Sequence, residues 1–270
     1  MSFRADALDV MLEVALRAAR LVTAVYEAPG LKVDFKVGDD PVTAADRQSN
    51  LLITTELARA FPGVPIVAEE SDPASFAGFQ GSPRAFFVDP LDGTREFVQR
   101  SGEFGVLVGL AEDGRATAGV IVLPTEGRAF VGAEGVGAFE VAADGSRASI
   151  SVGTGEDITA ARCVVSRWHR GPREDAILAR LGARLVVCGS AGLKGLRVAT
   201  GDADLFVHPA MAGYRWDSCA PAAIVRAAGG VFTDLRGQAI DYRAARLEND
   251  GGACVGNPTL HAAALARLGA

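Results

Sequence analysis

Val88-Asp89-Pro90-Leu91-Asp92-Gly93-Thr94 closes the apolar run Ala85-Phe86-Phe87-Val88, and its reading decides how the rest of the chain is understood. The run reads as a buried strand. Pro90 is expected to stop that strand, and Gly93 to permit a sharp turn toward a following helix. Two acids at a strand end, just before a helix N-terminus, suit the holding of hard divalent cations beside a phosphate. Oxygen ligands favour Mg²⁺ or Ca²⁺, and Mg²⁺ usually binds through a few carboxylates plus substrate phosphate. Read alone, the same residues also make an Asp-Gly turn with solvated acids. The rest of the chain has to separate the two.

With 270 residues, 49% of them hydrophobic, and 32 glycines, the chain can bury a large core as one big domain or two modest ones. A net charge of −6 argues against a nucleic-acid polymer or a membrane surface as partner. Bound metal ions can still reverse the local field for an anionic substrate. Cys163, Cys188, Cys219 and Cys254 have no CxxC spacing, so neither a zinc site nor a disulfide framework is signalled. They fit a reducing cytosol, as small core residues. No basic segment leads into an apolar run at the start, and no stretch approaches membrane-spanning length. The expectation is a soluble, cytoplasmic protein.

Leu8, Met11, Leu12, Ala15, Ala19 and Val22 recur at helical spacing and predict a helix over Phe3 to Tyr26. Lys32 to Lys36 reads as a short strand and Gly38-Asp39-Asp40-Pro41 as a turn. Thr43 is the expected N-cap of a helix reaching about Ala60, with Asp46 at its third position. Val64 to Ala68 is a short strand that delivers Glu69-Glu70. Val106 to Ala111, Ala116 to Leu123 and Arg128 to Gly132 read as an antiparallel meander. Weakly patterned residues 142–155 mark a boundary between an α+β part over residues 1–145 and an α/β part over 146–270. Strands at Cys163 to Ser166, Arg184 to Cys188, Asp204 to His208 and Val231 to Thr233 alternate there with helices near Arg173, Leu193 and Ser218.

Four places carry an acid at a strand end or helix start: Asp46 in PVTAAD, Glu69 in EES, the Asp89/Asp92 pair, and Asp217 in WDSCAP. Each has an ordinary explanation. Asp46 can complete a capping box with Thr43, Glu69-Glu70 can be a solvated loop, and Asp217 can cap the helix after it. Taken together, in this order, they resemble the inositol monophosphatase superfamily of metal-dependent phosphatases, whose signatures run over nearly the whole chain. The resemblance implies an alternating αβαβα layered sandwich with the site between its two parts, where clefts commonly hold ligands.

The resemblance also implies roles. Glu69, Asp89 and the carbonyl of Leu91 would hold one Mg²⁺, and Asp89, Asp92 and Asp217 a second, with two to three ions in all. Thr94, oriented by Asp46, would accept a hydrogen bond from the attacking water. Asp46, Glu69 and Thr94 are thus the expected catalytic residues. Such ions activate water, clamp phosphate and stabilise a leaving oxygen in an in-line displacement. Asp92, Gly93, Thr94 and Asp217 would line the phosphate subsite, the amides of Gly93 and Thr94 receiving its oxygens.

The flanks bear on the substrate. Asp92-Gly93-Thr94-Arg95-Glu96-Phe97 with Gly102-Glu103-Phe104 is similar to bacterial 3′(2′),5′-bisphosphate nucleotidases, as is Gly189-Ser190-Ala191-Gly192-Leu193-Lys194. Ser190, Lys194 and Arg215, with Tyr214, are the candidate substrate residues; Lys194 can equally be a surface lysine, and Arg95-Glu96 an exposed helix turn. Asp204 and His208 are expected to be structural. The expected reaction is hydrolysis of adenosine 3′,5′-bisphosphate to AMP and phosphate, within sulfur assimilation. An inositol or other sugar phosphatase is the alternative within the class, and a regulatory family member the alternative outside it. The partner is a small-molecule phosphate ester, and the resemblance admits a homodimer.

Overall fold

Helix α1 (Phe3–Glu27) opens the chain, and the computed structural model describes residues 3–36 and 41–269. The expected turn at Gly38-Asp39-Asp40 therefore lies outside the described residues. Strands β1 (Val33–Phe35) and β2 (Pro41–Thr43) pair antiparallel, and β2 runs straight into α2 (Ala44–Ala60). Thr43 caps that helix: its hydroxyl accepts the Ala45 N–H at 3.1 Å, and Asp46 reaches back to the Thr43 N–H at 2.7 Å. The capping box is real, and it fixes Asp46 pointing inward.

β3 (Ile66–Ala68), β4 (Arg84–Asp92), the short helix α3 (Thr94–Val98), β5 (Gly105–Glu112), β6 (Arg115–Leu123), β7 (Arg128–Ala133), β8 (Gly137–Val141) and β9 (Arg147–Ser149) follow. The strands make one seven-stranded sheet in sequence order, antiparallel except for the β3–β4 pair. The second half holds β10 (Arg162–Ser166), α4 (Pro172–Ala179), β11 (Arg184–Cys188), α5 (Ala191–Ala199), β12 (Leu205–His208), α6 (Arg215–Ala227), β13 (Val231–Thr233), β14 (Ala253–Gly256) and α7 (Pro258–Leu268). Its five strands are ordered β11-β10-β12-β14-β13. The change of sheet falls after β9.

The result is the five-layer αβαβα sandwich. Met11, Ile53 and Leu57 of α1 and α2 pack with Phe86 and Val88 on the outer face of the first sheet. Phe87, one residue away, joins the opposite core with Leu193, Leu196 and Ile224 of α5 and α6, which fill the space between the sheets. Leu178 of α4 and Leu260 of α7 cover the far face of the second sheet with Val165 and Leu205. Alternation along β4 thus buries both of its faces, which is why that strand reads as an unbroken apolar run.

Helix α6 approaches the first sheet closely because three glycines lie under it. A Cβ on Gly119 would lie 2.3 Å from the Ala220 carbonyl oxygen, on Gly109 2.6 Å from Cys219 Sγ, and on Gly132 2.8 Å from Ile224 Cα. The small residues of the helix and the glycines of the sheet are two halves of one contact.

Three expectations need correction. Pro90 does not stop its strand: β4 continues to Asp92, with its register to β5 shifted between Asp89 and Asp92. Proline is tolerated there because β3 pairs only as far as Val88, and the irregularity toward β5 skips Pro90. Helix α6 begins at Arg215, ahead of the expected Ser218, so Asp217 sits within its first turn and is not the cap. Strand β14 and helix α7 were not foreseen. The four cysteines are free and buried, and among the described residues no helix is long and apolar enough to cross a membrane.

Candidate active site

The bulged end of β4 carries Asp89 and Asp92 to the seam between the two sheets, and the first turn of α6 brings Asp217 to meet them. One carboxylate oxygen from each of these three lies within 4.8 Å of the others. Asp89 and Asp92 are buried. Glu69, just beyond the end of β3, lines the same cavity of about 350 Å³, as do Leu91, Gly93 and Thr94.

Burial raises all four carboxyls, and the neighbouring acids lift Asp89, Asp217 and Glu69 further. The desolvated Asp89 is raised further by Glu69, Asp92 and Asp217. Burial, then Asp92, lifts Asp217 to about 7, although the Tyr214 N–H bonded to its carboxylate opposes the shift. Burial pushes Glu69 to about 8 against the pull of Lys36, with Asp217 adding to the rise. Three converging acidic oxygens, with Glu69 on the same cavity wall and too few cations among them, form a donor set that fits a hard divalent ion. Lys36 supplies part of the missing charge, its ammonium donating to Glu69 at 2.9 Å and also to Glu70.

Asp92 also ties the two halves together. It accepts the backbone N–H of Gly192 at 2.6 Å and of Ala191 at 3.0 Å, and the Ser190 hydroxyl, at the start of α5. Ser190 in turn caps α5 through the Leu193 N–H. A carboxylate at a helix N-terminus is favoured by the peptide dipoles. Thr94, at the first turn of α3, donates its hydroxyl toward Asp46 Oδ1 at 2.9 Å and Leu91 O at 3.1 Å. The left-handed Gly93 (φ 92°) makes that turn, and a Cβ there would meet the Glu103 carbonyl at 2.9 Å.

The expected substrate residues divide. Ser190 and Lys194 line the cavity. Lys194 is no surface lysine: it is 3% exposed, and its ammonium donates to the carbonyls of Gly189 at 2.6 Å and Ser190 at 2.8 Å. Burial lowers its pKa. Tyr214 lines the cavity, stacked on Trp216 with ring centroids 4.8 Å apart. Arg215 does not line it; its guanidinium turns away to Asn249, and its backbone N–H bonds Leu247 O at 2.7 Å. The early start of α6 aims residue 215 into the protein and residue 217 at the site.

Other wall residues were not anticipated. Glu96, read as part of an exposed turn, is buried beneath Trp168, and Trp168 and His169 come from the loop after β10. Only a large aromatic just past a strand end hinted at that loop. His208 is more than structural, since it too lines the cavity, and its Nδ1 accepts the Ala210 N–H at 3.3 Å; burial pushes its pKa down to about 4. Asp204 is structural, paired with Arg162 at 3.0 Å.

Comparison with known proteins bears on the family and the fold. The family model of the inositol monophosphatase family matches residues 5–269. The 3′(2′),5′-bisphosphate nucleotidase CysQ of Salmonella typhimurium is 34% identical over 236 residues, covering 87% of this chain and 93% of that protein. Among solved structures, the extragenic suppressor protein suhB of Bartonella henselae superposes with a TM-score of 0.83 at 28% identity, covering 97% of this chain and 98% of that one. CysQ of Bacteroides thetaiotaomicron superposes with a TM-score of 0.77 at 28% identity, covering 94% and 98%.

Proposed function

This chain belongs to the inositol monophosphatase family, and from that premise we propose that it is a Mg²⁺-dependent 3′(2′),5′-bisphosphate nucleotidase. Its reaction is the hydrolysis of adenosine 3′,5′-bisphosphate to AMP and phosphate. The observation that carries the reading is the meeting of Asp89, Asp92 and Asp217 beside a threonine held by a buried aspartate. Glu69, Asp89 and the Leu91 carbonyl would hold one Mg²⁺, and Asp89, Asp92 and Asp217 a second. When bound, such ions neutralise the phosphate, acidify water and stabilise the leaving oxygen.

The chain's own groups do the rest. Thr94, its proton directed at Asp46, keeps its lone pairs for the attacking water; as the water attacks phosphorus, its proton passes to Thr94 Oγ1 while the threonine proton moves onto Asp46 Oδ1. The P–O bond to the nucleoside breaks in line, its oxygen leaving as the alkoxide that takes a proton from bulk water to become the free hydroxyl, while Asp46 returns its proton to solvent. Thr43 donates to the other oxygen of Asp46 from both its N–H and its hydroxyl, each at 2.7 Å, which holds Asp46 in one orientation. The amides of Gly93 and Thr94 receive phosphate oxygens. Lys194, fixed at the wall by two carbonyls, offers its charge to the second phosphate of a bisphosphate.

The sequence similarity to bisphosphate nucleotidases supports the nucleotide over the other phosphate esters hydrolysed in the family. Phosphate release from adenosine 3′,5′-bisphosphate, measured with and without Mg²⁺ on the wild type and on Asp92→Asn, tests the site. Full activity in that variant would remove it.

A further inference from the structure

We infer that Glu96 is a positioning residue: it holds the indole of Trp168 at the rim of the cavity, where that ring receives the aromatic base of the leaving group. The inference rests on the nucleotide reading above and names the part of the cavity that recognises the base.

The cavity has two chemistries. Its floor is the acidic cluster with Lys194. Its rim carries Trp168, Met211 and Tyr214, left 37%, 47% and 37% exposed. Large apolar side chains left open beside a charged site are suited to a flat apolar group. Trp168 is not loosely placed, since its Nε1–H donates to Glu96 Oε1. Glu96 itself is 3% exposed and is also approached by Arg167 at 3.4 Å. Arg167 is held in turn by Glu103 at 2.7 Å, and Glu103 accepts the Gly189 N–H at 3.1 Å.

Glu96 lies two residues after Thr94, so the helix that positions the hydroxyl also positions the indole. The same carboxylate explains Gly189, whose added Cβ would fall 1.9 Å from Glu96 Oε1. The Arg95-Glu96-Phe97 flank and the Gly189-Ser190 segment, far apart in sequence, are therefore one packed unit with Trp168 as its exposed end.

The test compares wild type, W168L, E96A and E96Q on adenosine 3′,5′-bisphosphate and on 2-glycerophosphate, an ester with no aromatic group. Loss of one base–aromatic stacking contact is expected to raise KM for the nucleotide roughly tenfold in W168L and E96A. Both variants should leave kcat, and both constants for 2-glycerophosphate, close to wild type. E96Q keeps an acceptor for the indole and should recover most of the nucleotide KM. Tryptophan fluorescence titrated with AMP gives a second readout, its quenching reduced in W168L to the share of Trp216 and weakened in E96A. Melting temperatures identify any variant that has lost its fold, and W168L then carries the test alone. A W168L enzyme that loses both substrates equally, or neither, overturns the inference. A wild type that prefers inositol-1-phosphate overturns the nucleotide reading instead.

Discussion

The Thr94 hydroxyl lies 2.9 Å from Asp46 Oδ1, joining the first turns of two helices across 48 residues of sequence. Asp46 is buried and its carboxylate accepts from Thr43 and Thr94, an arrangement that in the proposed mechanism aims that hydroxyl. Thr94→Ala should lower kcat about 10²–10⁴-fold, the usual range for losing a proton-transfer group. Mn²⁺ affinity, read by paramagnetic resonance, should stay unchanged. A variant that loses metal affinity along with rate would place Thr94 among the ligands instead.

The raised carboxylates make metal-free stability depend on pH. Glu69 moves from 4.5 to about 8 and Asp217 from 3.8 to about 7, first because burial disfavours their charge. A carboxyl raised in the fold binds more protons folded than unfolded, so its contribution is full below the unfolded value and is lost as pH rises through the folded one. The buried His208, lowered from 6.5 to about 4, opposes this near the lower edge of the window, where its unfolded form still binds protons, and is outweighed by the two carboxyls. Between about pH 6.5 and pH 8 the Mg²⁺-free melting temperature should therefore fall, and the gap opened by added Mg²⁺ should widen. A Mg²⁺-free melting temperature that climbs through this window would contradict the charge arrangement.

The glycine bed of α6 predicts a stability effect away from the chemistry. Gly119→Ala would press a methyl against the Ala220 carbonyl at 2.3 Å, and overpacking of this kind costs about 1–3 kcal/mol. Gly81→Ala, with nothing within 4 Å of its added Cβ, is the control. Urea denaturation should separate the two; equal midpoints would mean that the helix shifts at no cost.

Arg215 should behave as a structural residue. Arg215→Leu would strand Asn249, which also bonds Tyr214 O and Ala212 O, and leaving buried polar groups unpaired costs about 1–3 kcal/mol. Denaturation should register that loss while KM for the substrate stays the same. A raised KM with unaltered stability would return Arg215 to the substrate.

Much of this was legible in the sequence because the signals were local. The Thr43/Asp46 capping box, the helical spacing of α1 and the alternating runs of the meander each depend on neighbours a few residues apart. The acids of the site were legible because each sits at a strand end or in a first helical turn. What stayed hidden depended on distant partners. Pro90 continues its strand only because β3 has already ended beside it. Glu96 and Lys194 are each buried by segments that arrive from elsewhere in the chain, and nothing local to Arg215 announced that Asn249 would claim it. Strand β14 is a four-residue stretch whose pairing to β12 and β13 is long-range.

The most direct test of the central claim is a comparison of kcat/KM for adenosine 3′,5′-bisphosphate, inositol-1-phosphate and fructose-1,6-bisphosphate at one Mg²⁺ concentration. The account predicts that adenosine 3′,5′-bisphosphate is hydrolysed with the highest kcat/KM, and that chelating the metal abolishes turnover of all three. Inositol-1-phosphate leading by a wide margin, or turnover that survives chelation, would contradict it.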